Sequence, residues 1–293
     1  MKPPSFDYAA PKTVDEAVSL LRQHEGDAKI LAGGQSLMPL LNMRLARPGI
    51  LVDIARVDGL DNIREVDGGL AIGAMTRQRA VEHSELVRSR FPLLHTAILN
   101  IAHPQNRNQG TVGGSLAHAD PAAELPAIAL ALDAEFRAVG PAGERRIQAA
   151  DFFVTYLTTA LEPTEVLTEV RFQALPPRTG WSFIELARRH GDFALTGVVA
   201  RLTADGGRCS AAQIVLFGVG TTAVRARAAE QLLVGEPWSA ALFERAGQTA
   251  SQEIDEPLSD VHASAEYRRD LARVLTRRAL AEAATRAGGN VQS

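Results

Sequence analysis

Cys209 is the only cysteine in 293 residues. An intrachain disulfide is therefore excluded, and the chain cannot by itself provide the four thiolates that an iron–sulfur cluster usually takes. Lysine is nearly as scarce: only Lys2, Lys12 and Lys29 occur, and arginine makes up the rest of the 31 basic residues. Against 34 acidic residues these leave a net charge of −3, which points neither to nucleic acid nor to an anionic membrane surface. No apolar run is long enough to span a bilayer. The stretch Met1–Asp7 lacks a charged segment followed by an apolar one, so no signal peptide is read and a reducing, cytoplasmic setting is expected. Two nucleotide motifs are missing as well. Neither glycine-rich stretch described below contains Gly-x-Gly-x-x-Gly, and Gly-x-x-x-x-Gly-Lys-Ser/Thr does not occur, which argues against a Rossmann dinucleotide domain and a P-loop nucleotidase. His103, His118 and His190 have no metal-ligand spacing, and no metal site is expected.

What is present is an ordinary globular composition, 46% hydrophobic and 22% charged, carrying two Gly-Gly pairs in similar settings. In the first, Lys29-Ile30-Leu31 runs into Ala32-Gly33-Gly34-Gln35-Ser36, and an apolar run follows from Leu37. The pattern reads as strand, tight loop and helix start. Glycine lets backbone N–H groups approach a ligand closely, and a helix start adds unpaired donors and a positive dipole end. No lysine or arginine lies between Ala32 and Asn42, so an anion here would be held by backbone and hydroxyl groups. The second pair stands in Gly110-Thr111-Val112-Gly113-Gly114-Ser115-Leu116-Ala117-His118-Ala119-Asp120-Pro121. Together the two suggest paired backbone cradles facing one diphosphate ligand. The competing reading makes both of them plain turns.

Around these loops the chain alternates helix and strand. Thr13 and Glu16 form a capping box for a helix carrying Val14, Ala17, Val18 and Leu21 on one face, with Gly26 near its end. Leu37–Leu45 reads as a helix and Ile50–Ile54 as a buried strand. Asp67-Gly68-Gly69 separates a hairpin, and Thr76 is read as the cap of a helix reaching about His83. Pro92–Ala102 is read as a helix and His103–Gln109 as a polar loop. Asp120-Pro121 is read as N-cap and first turn of a helix over Ala122–Leu132. Strands are expected at Ala134–Val139 and Val166–Phe172, and Pro176-Pro177 is read as a subdomain boundary. Beyond it come three strands, Ser182–Ala187, Leu195–Thr203 and Cys209–Phe217, and then helices over Val224–Leu233, Ser239–Ile254 and Ala265–Arg286. The tail Gly288-Gly289-Asn290 is expected to fray.

Taken with Ala119-Asp120-Pro121-Ala122-Ala123-Glu124-Leu125-Pro126 and Arg188-Arg189-His190-Gly191-Asp192-Phe193-Ala194, the two glycine motifs resemble the FAD-binding medium subunit of the molybdenum hydroxylases, the group of the carbon monoxide dehydrogenase flavoprotein and the flavin domain of xanthine dehydrogenase. The similarity covers nearly the whole chain. It implies an α+β, vanillyl-alcohol-oxidase-type (PCMH-type) FAD-binding fold. Two N-terminal α/β subdomains, 1–56 and 57–177, would hold the flavin, and a C-terminal domain, 178–288, with a three-stranded antiparallel sheet and a three-helix bundle, would close over it.

The resemblance also implies a site. Lys29, Leu31, the loop Ala32, Gly33, Gly34, Gln35 and Ser36, and Leu37 would bind FAD together with Thr111, Gly113, Gly114, Ser115 and Ala117, the two loops taking the pyrophosphate. Ile101 and Ala102 would lie near the adenine. Asp120 and Glu124 would accept hydrogen bonds from ribityl or ribose hydroxyls. Leu167 would lie against the flavin system and Phe193 would shield a face of the isoalloxazine. Each of these residues also has a plain structural reading: cap, surface acid or core. Ser115 replaces the asparagine of many relatives and Phe193 the tyrosine of some. Xanthine dehydrogenases carry a lysine in the strand before Arg188-Arg189, where this chain has Ile184-Glu185, which leaves the electron acceptor open.

The function so implied is electron transfer, with no catalytic acid or base required of this chain. A large partner would carry the molybdopterin cofactor, a small partner [2Fe–2S] clusters, and an external acceptor would take electrons from the FAD. The assembly implied is a dimer of heterotrimers. Two alternatives stand beside it: an autonomous FAD oxidoreductase of the same broad fold, resembling the enolpyruvyl-glucosamine reductases, and a non-enzymatic nucleotide-binding module.

Overall fold

The chain begins with a small parallel sheet. In a computed structural model, which describes residues 2–288, strands β1 (Asp7–Ala9), β2 (Ala28–Leu31) and β3 (Ile50–Asp53) pair in the order β1-β3-β2, with β3 parallel to both neighbours. Helix α1 (Val14–Gln23) connects β1 to β2 and buries Ala17, Val18 and Leu21. Its cap works as the sequence indicates at one end: the Thr13 hydroxyl accepts from Glu16 N–H at 3.1 Å. The Glu16 carboxylate reaches one residue further back and accepts from Lys12 N–H at 2.7 Å. The loop that leaves β2 leads into α2 (Leu37–Asn42), which stops short of the expected Leu45 because Arg44 turns left-handed at φ 59°.

A five-stranded antiparallel sheet follows. Strands β4 (Ile63–Val66) and β5 (Gly69–Gly73) form the Asp67-Gly68 hairpin, with Gly68 at φ 76°. Six helices then cover one side: α3 (Gln78–His83), α4 (Glu85–Arg90), α5 (Pro92–Asn100), α6 (Pro104–Gln109), α7 (Val112–His118) and α8 (Glu124–Ala131). Strands β6 (Glu135–Gly140) and β7 (Gly143–Gln148), helix α9 (Ala149–Phe152), the small hairpin β8 (Phe153–Thr155) and β9 (Thr158–Thr159), and strand β10 (Val166–Gln173) complete the layer. The sheet order is β4-β5-β10-β6-β7. Its apolar face, with Leu70, Ile72, Phe136, Val170 and Phe172, packs on Leu94, Ile98, Leu116, Leu125 and Ile128 of the helices.

Three expectations need correction here. His103–Gln109 is not a loop but contains α6, opened by Pro104 and anchored by the buried Arg107. Arg77, rather than Thr76, precedes the first turn of α3, while Thr76 donates its hydroxyl to the Asn62 carbonyl at 3.0 Å. Asp120 does not cap a helix from Ala122. Its Oδ1 accepts from Ala122 N–H at 2.9 Å in a tight turn, and α8 begins only at Glu124, after Ala123. The strand β7 carries one apolar residue, Ile147, and the hairpin β8–β9 is too short to give an alternation to read.

After Pro176-Pro177, strands β11 (Thr179–Leu186), β12 (Thr196–Asp205) and β13 (Arg208–Phe217) form the expected antiparallel meander, joined by a two-residue strand β14 (Val224–Arg225). That strand replaces the predicted start of a helix, so α10 runs only over Arg227–Leu233, followed by α11 (Ala240–Gln252) and α12 (Ala265–Arg286). The three helices cover one face of the sheet through Val198, Ala200, Leu202, Ile214 and Leu216. The alternate residues Phe183, Val199, Val215 and Phe217 point the other way and merge into the core beneath α5 and α8. Gly289 and Asn290 of the expected tail lie outside the described residues. Among the described residues no helix is long and apolar enough to cross a membrane.

Candidate cofactor site

The two glycine motifs meet. A Cβ placed on Gly114 would lie 3.4 Å from Ala32 Cβ and 3.9 Å from Gly33 N, and one placed on Gly33 would lie 2.4 Å from the Gln109 carbonyl oxygen. Glycine at 33 is thus required by backbone contact between the first loop and the end of α6. Asn106 of α6 donates to Gln35 Oε1 at 3.3 Å, and Gln35 Nε2 in turn donates to the Gly33 carbonyl at 3.3 Å. Arg77 donates to the Gln109 carbonyl, and Gln78 N–H to the Gly110 carbonyl at 2.9 Å, which fixes α6 against α3.

The donors are distributed unevenly between the motifs. Among the described residues, the N–H groups from Gly33 through Leu37 donate to no protein acceptor, and the Ser36 hydroxyl is unpaired. Gly34, at φ 70°, turns the chain at the end of β2. The second motif is a helix start rather than a second backbone cradle. Thr111 caps α7, and the N–H groups of Val112, Gly113, Gly114 and Ser115 donate to Thr76 O (3.0 Å), Ala74 O (2.8 Å), Thr111 Oγ1 (3.1 Å) and Thr111 O (3.2 Å). Gly113 serves packing, since a Cβ there would sit 2.4 Å from Ala74 Cβ. What this motif leaves toward a ligand is the unpaired Ser115 hydroxyl and the exposed Ala117.

Lys29, on β2, and Asp120 both act on the half-buried His118, whose imidazole is held below its usual range by burial, with Asp120 opposing and Lys29 adding to the effect. Ile101, 8% exposed, and Ala102, at φ 42°, end α5. The turn after β11 packs on them: Gly191 approaches so closely that a Cβ would be 2.5 Å from His103 Cε1 and 2.8 Å from the Ala102 carbonyl. Leu31 ends β2 beside Gly34, and Leu167 lies in the core of the five-stranded sheet. Phe193 stands out from the β11–β12 turn, 63% exposed.

Two groups escape a reading of the sequence. Arg107, buried under α6, binds the Glu82 carboxylate through Nε at 2.9 Å and the Ile101 carbonyl through NH1 at 2.7 Å. Glu124 is buried at the start of α8, and Glu185 is half-buried near the end of β11. Burial, then the charge of Glu185, pushes Glu124 up to about 8, and burial pushes Glu185 up to about 7. A strand position next to a motif was the only local sign of Glu185, and nothing local marked its partnership with Glu124.

A row of unpaired N–H groups and a free Ser36 hydroxyl, in a loop that has no lysine or arginine of its own, fit the pyrophosphate of a dinucleotide. The comparisons agree. Residues 4–174 match the model described as FAD binding domain in molybdopterin dehydrogenase, and residues 181–283 the CO dehydrogenase flavoprotein C-terminal domain. The chain belongs to this family of FAD-binding subunits.

Relatives match over nearly the whole chain. The 6-hydroxypseudooxynicotine dehydrogenase complex subunit alpha of Paenarthrobacter nicotinovorans is 46% identical, over 98% of this chain and 97% of that one. The carbon monoxide dehydrogenase medium chain of Hydrogenophaga pseudoflava is 40% identical over 96% and 97% of the two chains. The solved structure of carbon monoxide dehydrogenase from the same organism, in a form lacking the Mo-pyranopterin moiety, superposes with a TM-score of 0.95, covering 98% of this chain and 99% of the other at 42% identity. The fold inferred from the motifs, the FAD-binding assignment and the oxidoreductase class all stand on these matches.

Proposed function

We propose that this chain is the electron-transferring flavoprotein subunit of a molybdenum hydroxylase complex, receiving electrons from [2Fe–2S] clusters on a small partner and releasing them to an external acceptor. The large partner would carry the molybdopterin cofactor and select the substrate, and the complex would be a cytoplasmic dimer of heterotrimers. The observation that carries the reading is the row of unpaired N–H groups from Gly33 to Leu37, set against Gly114 in a chain of this family. Bound FAD would supply two-electron storage between one-electron cluster donors and the external acceptor.

The chain's own residues hold and shape the site. The N–H groups of the first loop and the hydroxyls of Ser36 and Ser115 take the pyrophosphate without a cationic side chain. Lys29, Leu31 and Leu37 frame that loop, and Ile101 and Ala102 form the adenine wall. Thr111, Gly113 and Gly114 keep α7 close enough for Ser115 and Ala117 to border the ligand. Asp120 and Glu124 face its ribityl or ribose hydroxyls, Leu167 backs the flavin, and Phe193 covers its open face. Units 1–56 and 57–177 bind from one side and 178–288 closes from the other.

The test is to express the chain alone and with its partner subunits, and to identify released cofactor by chromatography. FAD in the chain, reduced by substrate only when both partners are present, is the expected result. A chain that takes up no FAD in either setting overturns the proposal.

A further inference from the structure

Arg268, in the first turn of α12, is only 3% exposed, and its guanidinium reaches out of its own helix to the backbone of two other segments. NH1 donates to the Leu195 carbonyl and, at 2.8 Å, to the Gly218 carbonyl. NH2 donates to Asp260 Oδ2 at 2.8 Å. Asp260 is itself fixed, since its Oδ1 accepts from the N–H groups of His262 and Ala263 at 2.8 and 3.0 Å. The planar fork of a guanidinium lets one side chain take two carbonyls and a carboxylate in set directions. Leu195 stands where the chain enters β12, and Gly218 directly follows β13.

Both carbonyls belong to segments that carry residues of the proposed FAD site. Leu195 follows Phe193 by two residues, through the buried Ala194. Gly218 N–H donates to the Pro121 carbonyl at 2.8 Å, within the turn that begins at Asp120 and leads to Glu124. Gly218 also lies against the Phe193 segment: its φ is 71°, and a Cβ there would be 2.8 Å from the Ala194 carbonyl oxygen and 3.1 Å from that of Leu195. Arg268 thus closes a line of contacts that runs from the Phe193 turn through Gly218 to the Asp120 turn. The two domains are also held together away from these turns. Phe183, Val199, Val215 and Phe217 share the core with α5 and α8, and Asp133 meets Arg201, Gln213 and Arg225 at 3.1 to 3.4 Å. Loss of Arg268 therefore leaves the domains docked and frees the turns. The Thr196 hydroxyl still donates to the Leu195 carbonyl at 2.8 Å, whereas among the described residues the Gly218 carbonyl has no donor besides Arg268.

We propose that Arg268 is a positioning residue that fixes the turn bearing Phe193 against the turn bearing Asp120, so that the C-terminal domain meets FAD with a preset wall. This rests on the FAD site proposed above. The guanidinium touches no ligand in this role and acts through the Leu195 and Gly218 carbonyls. Ordering of the two turns is completed on folding and not charged against binding, which is how preorganisation raises affinity.

The experiment compares R268Q and R268K with the wild type, and with D133N, which loosens the same domain seam away from the turns. Amide hydrogen exchange of the FAD-free chain comes first. In R268Q the Gly218 and Leu195 N–H groups should exchange faster than in the wild type, while that of Ala226, bonded to the Ile214 carbonyl in the same sheet, stays unchanged. FAD titration of the full chain should show affinity lowered at least about tenfold in R268Q, partly restored in R268K and close to wild type in D133N. Fluorescence of bound flavin is the third readout: R268Q should raise it in the wild-type background and add nothing in an F193A background. If R268Q does not fold, R268K, which keeps the cation and loses the fork, carries the same comparison. FAD affinity and fluorescence equal to wild type in the arginine variants overturn the proposal while the FAD reading stands. So does a D133N chain that loses as much affinity as R268Q, because any loosening of the seam would then suffice. If the wild type takes up no FAD, the FAD reading falls and the positioning role with it.

Discussion

Arg107 and Glu82 form an ion pair whose side chains are only 6% and 10% exposed, with Nε 2.9 Å from Oε2. The same guanidinium donates to the carbonyl that ends α5, so one side chain ties α3, α5 and α6 together behind the glycine loops. Removing it leaves Glu82 buried, with Arg79 at 2.7 Å as its remaining cation. R107M is therefore expected to cost about 3 to 5 kcal/mol in urea unfolding, well beyond a surface ion pair. The Arg107 hydrogen bond, opposed in part by burial, holds Glu82 below its usual 4.5. That stability is present above the unfolded value and lost as pH falls through the folded one, so R107M should flatten the acid limb of the wild-type stability curve.

Gly33 is constrained from outside its own loop. A methyl group there would meet the Gln109 carbonyl oxygen at 2.4 Å and Gly110 Cα at 2.9 Å, both backbone atoms that cannot swing aside. G33A should push the first loop off α6 and lower FAD affinity at least about tenfold, since the N–H row would no longer face one point. Gly26 offers the contrast, with φ 82° and no atom within 4 Å of the position a methyl group would take. G26A is expected to cost about 1 kcal/mol through backbone strain and to leave flavin content unchanged. The ratio of flavin to protein absorbance in purified samples reads both outcomes, and full flavin in G33A would refute the constraint.

The elements that sequence patterning captured are those specified by their own residues. Thr13 caps α1, Asp67-Gly68 turns the first hairpin, and Gly33-Gly34 breaks the chain between β2 and α2, each through a rule that acts within four residues. Helix α6 was missed because Pro104–Gln109 has no apolar stripe; its single buried residue is the arginine that binds Glu82, 25 positions away. Strand β7 was missed for a similar reason, with Ile147 its one buried side chain. In the site, the meeting of Gly114 with Ala32 followed from shared motif chemistry, but which motif kept its N–H groups unpaired depended on Ala74 and Thr76, residues of another segment. The effect of Glu185 on Glu124 arises only in the folded chain, and no spacing rule joins residues so far apart.

Phe193 is exposed enough that its ring contributes little to folding. At 63% exposure, F193A should change unfolding free energy by no more than about 0.5 kcal/mol. If the ring covers the flavin as proposed, the same substitution will raise the fluorescence of bound flavin and shift its reduction potential, and F193Y will restore both. Unchanged fluorescence and potential in F193A would place the ring elsewhere, against a partner or in solvent.

Glu124 gives the chain a pH dependence opposite in sign to that of Glu82. Its folded value of about 8 lies above the ordinary 4.5, so the folded state holds a proton that the unfolded chain releases. Stability from this source is complete below the unfolded value and drains away as pH rises toward the folded one. Integrated over that window the loss is about 5 kcal/mol as an order of magnitude. Glu185, raised to about 7, adds to it in the same direction. Urea unfolding of the FAD-free chain across this range should therefore show wild-type stability declining with pH relative to E124Q. The E124Q/E185Q double variant should be flatter than either single one, because neither position can then ionise. Parallel curves for wild type and E124Q would mean that Glu124 is already ionised at neutral pH.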